Sequence, residues 1–169
     1  ADAGMKKKLK EIGAADSKTL SDARIRKLAE EIAGICKYSV VIIGNNKYNK
    51  LYEKIENLNK LLAWGHARVI ENLLEEVDCS YALSDQFGSP ELIKNALLEK
   101  GKNINLEQRP RAEENIVVAA ASILARNEYV KAMNKLAEKY GMEFPKGSSS
   151  IVTGAAKEFI LLHGKEKLS

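Results

Sequence analysis

Short apolar runs that alternate with longer stretches of helical periodicity constrain the fold of this chain most. The runs at residues 38–43 (YSVVII), 80–84 (SYALS) and 103–107 (NINLE) have the length and bounding residues of strands. Helices that alternate with such strands predict an α/β domain, in which helices pack on a sheet. Only two or three strands are evident, so we expect part of the sheet to lie outside this sequence.

The helical patterns are delimited by capping residues, glycine and proline. Ser21 or Asp22 is expected to cap the second helix, and Pro90 is expected at the first helical position of its segment. Gly141 should end the longest helix, because glycine is favoured just past a helix C-terminus. The predicted helices cover residues 5–12, 22–35, 47–55, 58–77, 89–100 and 113–140, with a last one from the 146–150 loop to about residue 162.

The composition is that of an ordinary globular domain, with 45% hydrophobic and 30% charged residues in a chain of 169. That length fits a single domain, residues 1–169. No apolar stretch is long enough to span a bilayer and no signal peptide is visible, so we expect no membrane partner. Cys36 and Cys79 lack a CxxC spacing, which predicts reduced thiols and a cytoplasmic location. The net charge of +4 permits a polyanionic partner without requiring one.

Three acidic residues are candidates for holding a metal ion. Asp85 follows an apolar strand, and the carboxyl ends of strands are where ligands gather in α/β folds. Mg²⁺ prefers oxygen ligands there, although a turn cap is the alternative for Asp85. Glu113 and Glu114 open the longest predicted helix, where they either meet Asp85 or simply favour the helix dipole. The two histidines have no partner at metal-ligand spacing.

Two loops offer ammonium, hydroxyl and backbone N–H donors that suit phosphate oxygens. They are residues 16–18 (DSK) and residues 146–150 (KGSSS), and both compositions are equally typical of solvated turns. Arg109 and Arg111 precede the two glutamates, where they either track a nucleic-acid backbone or neutralise the acidic pair. Ser122 lies in a run of small residues and either contacts a phosphate or bonds to its own backbone.

Six segments in one order along the chain resemble the motifs of a single enzyme family. Residues 16–22 (DSKTLSD) resemble the DSKxLxD stretch of type 2 ribonucleases H, and residues 48–71 resemble the YNxLYxKxxNxNxLLAWxHxxxI segment of ribonuclease HIII. The other four are residues 84–87 (SDQF), 111–113 (RAE), 119–126 (AAASILAR) and 144–147 (FPKG), which resemble its [IS]DQF, KAE, AAASIIAR and LPKG elements. The ordered set covers nearly the whole chain and resembles ribonuclease HIII.

The resemblance implies a ribonuclease H-like fold, a mixed central sheet flanked by helices, with four carboxylates around two Mg²⁺ or Mn²⁺ ions. It implies endonucleolytic hydrolysis of the RNA strand of RNA–DNA hybrids by two-metal-ion catalysis, which leaves 5′-phosphate and 3′-hydroxyl ends. The hybrid would be recognised through its minor groove, where 2′-hydroxyls distinguish RNA from DNA.

Motif matching carries the family's functional residues onto this chain. Asp85 is implied as the third carboxylate and Glu113 as the fourth, with Glu114 or Glu128 as alternatives. The residues implied to hold or orient the substrate are Asp16, Ser17, Lys18 and Ser122. The basic residues Arg111 and Lys146 are added as substrate-binding candidates for their charge. The implied partner is an RNA–DNA hybrid, bound by a monomer.

The sequence departs from the family pattern at both ends. It contains no DExGxGD motif, which carries the first two carboxylates in the family, and residues 2–4 (DAG) match that motif poorly. It does not begin with Met, and the basic-aromatic stretch that follows the position of Leu168 in the family is absent. We therefore expect a partial domain, without the first strands and the C-terminal end, whose partner is a missing N-terminal segment of the same domain. Alone it should bind Mg²⁺ poorly and cleave hybrids weakly or not at all.

Two other functions stay open. The chain could be a non-catalytic nucleic-acid-binding module of the same fold, which keeps the basic loops but not the reaction. It could also be a helical partner-binding or structural domain, which would show no salt-dependent affinity for hybrids.

Overall fold

The computed structural model describes residues 1–167, which form seven α-helices and two β-strands. Short 3₁₀ turns at Ser17–Thr19, Gly101–Asn103, Ala112–Glu114 and Lys165–Lys167 connect or follow them. The helices and strands are α1 (Ala3–Glu11), α2 (Asp22–Ile35), α3 (Asn45–Ile55), α4 (Leu58–Leu74), β1 (Tyr81–Asp85), α5 (Glu91–Ala96), β2 (Asn105–Arg109), α6 (Ile116–Tyr140) and α7 (Ser150–His163). No helix in this part of the chain is long and apolar enough to cross a bilayer. The expected C-terminal departure after Leu168 lies outside the described residues.

Local hydrogen bonds explain where several helices begin. The Ser21 hydroxyl accepts from the Arg24 N–H at the start of α2, and the Asn57 side chain accepts from Lys60 N–H at the start of α4. Such side-chain caps satisfy donors that a helix N-terminus leaves free. The expected cap at Ser21 is therefore confirmed. Pro90 precedes α5 instead of occupying its first position, and α5 ends earlier than predicted, at Ala96.

The two strands form a small parallel sheet. β1 pairs with β2 in a register that sets Tyr81 opposite Asn105 and Asp85 opposite Arg109. Helix α5 provides the crossover between them, as parallel pairing requires. Because the strands are parallel, both carboxyl ends lie at one edge of the sheet. Asp85 and the residues that follow Arg109 therefore meet there.

The strand predicted at residues 38–43 does not form. This segment has no regular secondary structure, and none of its backbone N–H or C=O groups takes a backbone partner within residues 1–167. The Asn72 side chain donates to Ser39 Oγ at 3.1 Å, and Val40 packs against the core, whereas Ile42 is 61% exposed. β-branched residues favour a pleated surface, yet a strand needs a neighbour for its hydrogen bonds. The prediction was wrong because the neighbour is not among these residues.

The long helix starts three residues later than predicted. Asn115 caps α6 by accepting from the Val117 N–H at 3.0 Å, so the helix begins at Ile116. Glu113 and Glu114 belong to the preceding 3₁₀ turn. The Asn115 side chain bonds to the backbone that follows it, and such a bond favours a helix start over a helix interior. This explains the shift.

The main hydrophobic core lies between three helices on one side of the molecule. Leu9 of α1, Ile25 and Leu28 of α2, and Ile123 of α6 are fully buried in it. Burying each side chain of this size stabilises the fold by about 1.5–3 kcal/mol relative to leaving it exposed. This packing sets α2 against α6 and brings the Ser17–Thr19 turn to the side of α6.

A buried carboxylate joins α4 to the turn before β2. Glu71 is 7% exposed, and its Oε1 accepts from the Leu98 N–H at 2.7 Å and from the Gly101 N–H at 2.9 Å. Gly101 approaches these side chains closely, because an added Cβ would lie 2.5 Å from Glu71 Oε1 and 2.6 Å from Leu97 Cδ2 and would force them to shift. The carboxylate therefore fixes the approach of the chain into β2.

We expect Gly101→Ala to lower the free energy of unfolding by about 1–3 kcal/mol, because the new methyl group displaces a buried carboxylate and a leucine. Urea denaturation would measure the change. Gly34→Ala is the matched control: the site is in α2 with open space around the added Cβ, so alanine should stabilise by up to about 1 kcal/mol. Equal effects of the two substitutions would contradict the close approach at Gly101.

Candidate active site

Asp85 is the carboxylate at the carboxyl end of β1. Its Oδ1 accepts from the Ala112 N–H at 3.1 Å, and its Oδ2 has no hydrogen bond within residues 1–167. Asp85 therefore does not cap the loop that follows it at residues 86–88. It is tied to the turn that follows β2, and its side chain is exposed at the sheet edge.

Glu113 lies in that same turn, directly after the residue that bonds Asp85. Its Oε2 is buried and has no hydrogen-bond partner among the described residues. A buried carboxylate oxygen without a donor is costly, so such an atom calls for a cation or an ordered donor. Asp85 and Glu113 both carry carboxylate oxygens, the kind of ligand that hard divalent ions prefer in proteins.

The other two acidic candidates are placed differently. Glu114 is in the same 3₁₀ turn and is exposed. Glu128 lies well along α6, about 18 Å from its first residue by helical rise. Its Oε1 accepts from Lys131 Nζ at 2.7 Å and from Asn127 Nδ2 at 3.2 Å. Within residues 1–167 no group of three or more His, Cys, Asp or Glu side chains is arranged to hold a metal ion.

Arg111 bends the backbone between the end of β2 and the turn that carries Glu113. Its φ of 55° is in the left-handed region, which is unfavourable for a residue with a side chain. The bend lets the Arg111 carbonyl accept from the Glu114 N–H at 3.1 Å, while the next N–H, that of Ala112, reaches Asp85. Backbone conformations of this kind concentrate at functional sites. The guanidinium is exposed beside the acidic pair.

His66 supports the loop beyond Asp85. Its Nδ1 lies 3.2 Å from Ser84 Oγ, and its ring packs against Phe87 with centroids 5.0 Å apart. Burial lowers the pKa of His66 because it disfavours the imidazolium, and the nearby Asp85 charge opposes that shift. The buried Ser84 and the Phe87 ring thus hold α4 against the end of β1.

The DSK segment forms a separate cluster on the side of α6. Asp16 Oδ1 accepts from the Lys18 N–H at 3.0 Å, so the carboxylate is used in its own turn. Ser17 is buried, and its carbonyl accepts from Arg126 Nη1 at 2.5 Å. Lys18 extends its side chain into solvent. Ser122, one turn before Arg126, donates to Ala119 O at 2.8 Å, the local bond that serines in helices often make.

Lys146 joins this second cluster through a residue that sequence reasoning did not select. Its ammonium donates to Asp22 Oδ2, and Arg126 Nη2 lies 3.6 Å from Asp22 Oδ1. The hydrogen bond from Lys146, with the charges of Lys146 and Arg126, lowers the pKa of Asp22 against the opposing effect of burial. The structure thus gathers Asp16, Ser17, Lys18 and Lys146 at one place, and Asp85, Arg111 and Glu113 at another.

Comparison with known proteins assigns the family. A family profile described as Ribonuclease HII matches residues 1–169. The chain belongs to the ribonuclease HII family. The predicted resemblance to type 2 ribonucleases H is therefore confirmed.

Relatives within the ribonuclease HII family carry a more specific description. A protein described as Ribonuclease HIII from Protochlamydia amoebophila (strain UWE25) is 45% identical over 161 residues, covering 95% of this chain and 54% of the relative. One from Chlamydia pneumoniae is 46% identical over 165 residues, covering 96% of this chain and 55% of the relative. The chain thus spans about half the length of these curated relatives.

Solved structures confirm the predicted ribonuclease H-like α/β fold. Bst-RNase HIII, crystallised in complex with Mn²⁺, superposes with a TM-score of 0.89 at 28% identity, over 99% of this chain and 56% of that one. Aquifex aeolicus RNase H3 superposes with a TM-score of 0.73 at 30% identity, over 92% and 58% of the two chains. The sheet described here, with two strands, is a small one for that fold.

Comparing two substitutions at Arg111 should isolate the left-handed bend. Both Arg111→Gly and Arg111→Ala remove the guanidinium, but only glycine adopts positive φ without steric cost. We expect the glycine variant to be the more stable by about 1 kcal/mol, measured by urea denaturation. An alanine variant as stable as the glycine variant would show that position 111 does not need this conformation.

The pH dependence of stability should report the burial of His66. The folded pKa lies below the unfolded value of 6.5, so the folded chain binds fewer protons in this window. The contribution of neutral His66 to stability is therefore fully present above pH 6.5. It is lost as the pH drops through the folded pKa, by at most about 1.4 kcal/mol per pH unit. Unfolding of the wild type and of His66→Gln between pH 7.5 and 5 would measure it, and equal pH slopes would contradict the prediction.

Proposed function

We propose that this chain is part of the catalytic domain of a ribonuclease H that cuts the RNA strand of RNA–DNA hybrids. One observation carries the proposal: the hydrogen bond between Asp85 and Ala112 sets that carboxylate beside Glu113, whose buried Oε2 lacks a partner in the described chain. Asp85 and Glu113 would contribute two of four carboxylates for Mg²⁺ or Mn²⁺. Membership of the ribonuclease HII family and the likeness to a Mn²⁺-bound ribonuclease HIII support this assignment.

The reaction proposed is two-metal-ion hydrolysis that leaves 5′-phosphate and 3′-hydroxyl ends. A bound divalent ion supplies stabilisation of the negative charge that develops on the phosphoryl oxygens. The contribution of the chain itself is to orient: the Ala112 N–H holds one oxygen of Asp85, and the bend at Arg111 sets the direction of Glu113. Because these groups are fixed before substrate binds, little reorganisation is needed at the moment of reaction.

The proposed substrate contacts extend from this edge to the second cluster. Lys18 and Lys146 present ammonium groups for phosphate oxygens, and the exposed Arg111 does so beside the acidic pair. Asp16 and Ser17 act through the shape of their turn, since Asp16 and the Ser17 carbonyl are already bonded within the chain. The Ser122 hydroxyl is hydrogen-bonded within α6, so we propose only that the substrate passes this part of the helix.

We further propose that residues 1–169 form one partial domain, whose other two carboxylates come from outside this sequence. The sequence contains no DExGxGD motif. The β-branched segment at residues 38–43 has no backbone partner within residues 1–167, as expected if neighbouring strands belong to an N-terminal segment of the same domain. The free thiols Cys36 and Cys79 support a cytoplasmic location, and we propose that the protein acts as a monomer.

Mn²⁺ titration of residues 1–169 should test the two carboxylates directly. We expect weak binding that Asp85→Asn and Glu113→Gln each reduce by about tenfold, because each removes a charged oxygen ligand. Paramagnetic broadening of backbone NMR signals near residues 85 and 113 would measure it. Glu138→Gln, an exposed position late in α6, is the control and should change nothing. A tenfold loss with Glu114→Gln instead of Glu113→Gln would transfer the role to Glu114.

Cleavage of a hybrid with a radiolabelled RNA strand should separate the catalytic proposal from its alternative. Residues 1–169 alone should cut weakly or not at all, and efficient cutting by them would refute the partial domain. When the missing segment is supplied, Asp85→Asn should abolish turnover. A non-catalytic binding module would be indifferent to that change or bind slightly better, and a structural domain would show no salt-dependent affinity.

A further inference from the structure

Asp22 pairs with two cations, Arg126 of α6 and Lys146 of the loop before α7. We propose that Asp22 is a positioning residue for hybrid binding, whose carboxylate holds Lys146 and Arg126 where they can meet the phosphate backbone. The inference rests on the proposed function, since it concerns the substrate surface of that same enzyme. It gives a role to Asp22, which ends the DSKxLxD match and has no role assigned by that match or by the acidic centre.

The geometry converges on one carboxylate. Asp22 is the first residue of α2, directly after its Ser21 cap, so the helix start fixes its backbone. Oδ2 accepts from Lys146 and Oδ1 lies 3.6 Å from Arg126 Nη2. The other arm of the same guanidinium, Arg126 Nη1, donates to the Ser17 carbonyl at 2.5 Å. One carboxylate thereby links α2, α6, the DSK turn and the loop that bears Lys146.

The loop that bears Lys146 needs such a link. Residues 143–148 make no backbone–backbone hydrogen bond within the described chain, and Gly147 has a φ of 102°. Phe144 holds the loop by ring contacts with Tyr140 and Phe159. The ion pair to Asp22 is the contact that restrains the Lys146 side chain itself. A restrained lysine loses less rotamer freedom when it binds a phosphate.

The two cations keep donors for a ligand while they are paired. The side chain of Lys146 is 35% exposed and that of Arg126 is 28% exposed. An ammonium has three donors and a guanidinium five, so one carboxylate and one carbonyl leave several of them free. Lys18 projects from the turn that Arg126 holds. The cluster keeps a net positive charge, which suits a polyanion, and partly exposed ion pairs add little to stability.

The sign of one substitution tests the proposal. If Asp22 merely repelled phosphates, Asp22→Asn would tighten hybrid binding; if it positions Lys146 and Arg126, the same change should weaken binding by about threefold to tenfold. Fluorescence anisotropy with a labelled RNA–DNA hybrid and the full 169-residue chain, without divalent metal, would measure this. Asp22→Glu keeps the charge and should restore most of the affinity. Glu30→Gln, an exposed acid on the same helix, should tighten binding slightly.

Two further measurements separate the possible failures. Lys146→Met should reduce the slope of log K against log salt by about one, and Asp22→Asn should reduce it similarly. A carboxyl NMR titration should place the pKa of Asp22 below 3.8 in the wild type and closer to 3.8 in Lys146→Met. Unchanged titration, or equal or tighter binding by Asp22→Asn, overturns the role of Asp22 alone. A wild-type chain that does not bind the hybrid, either alone or with the missing segment supplied, overturns the proposed function.

Discussion

The candidate active site depends on the parallel pairing of β1 with β2. Because Asp85 is opposite Arg109, the chain leaves β2 at the edge where β1 ends, and the next turn can cross back over Asp85. The hydrogen bond from the Ala112 N–H to Asp85 Oδ1 forms where the turn crosses back. An antiparallel pair would have placed the end of β2 at the far edge, with the two acids separated by the length of the strand.

Helix α6 connects the two parts of the surface. It begins directly after the turn that carries Glu113 and carries Arg126 about 15 Å further on by helical rise. Its packing against α2, through residues such as Ile25 and Ile123, is what brings Asp22 within reach of Arg126. The spacing between the acidic pair and the basic cluster is therefore set by a rigid helix and a hydrophobic core. Loops contribute only the final contacts.

The sequence predicted elements whose causes are local, and it failed where the cause was distant. The cap at Ser21, the helix α2 and the strand before Asp85 follow from neighbouring residues. The segment at residues 38–43 has strong β propensity, but strand formation depends on a partner that propensity does not reveal. Likewise Lys146 and Asp22 each lie in a matched motif, but they are 124 positions apart and the sequence gives no sign that they pair.

By itself the sequence determined the family, most of the helices, the two strands that pair, and the residue types available for chemistry, because motifs and periodicity depend on residues close together in the chain. Only the tertiary structure distinguishes the surroundings of the two neighbouring candidate acids. Glu113 and Glu114 are adjacent and chemically identical, yet only Glu113 has a buried oxygen without a partner in the described chain, while Glu114 is exposed. The difference between the two glutamates arises in a turn that follows a left-handed bend at Arg111. The sequence gives no sign of that bend.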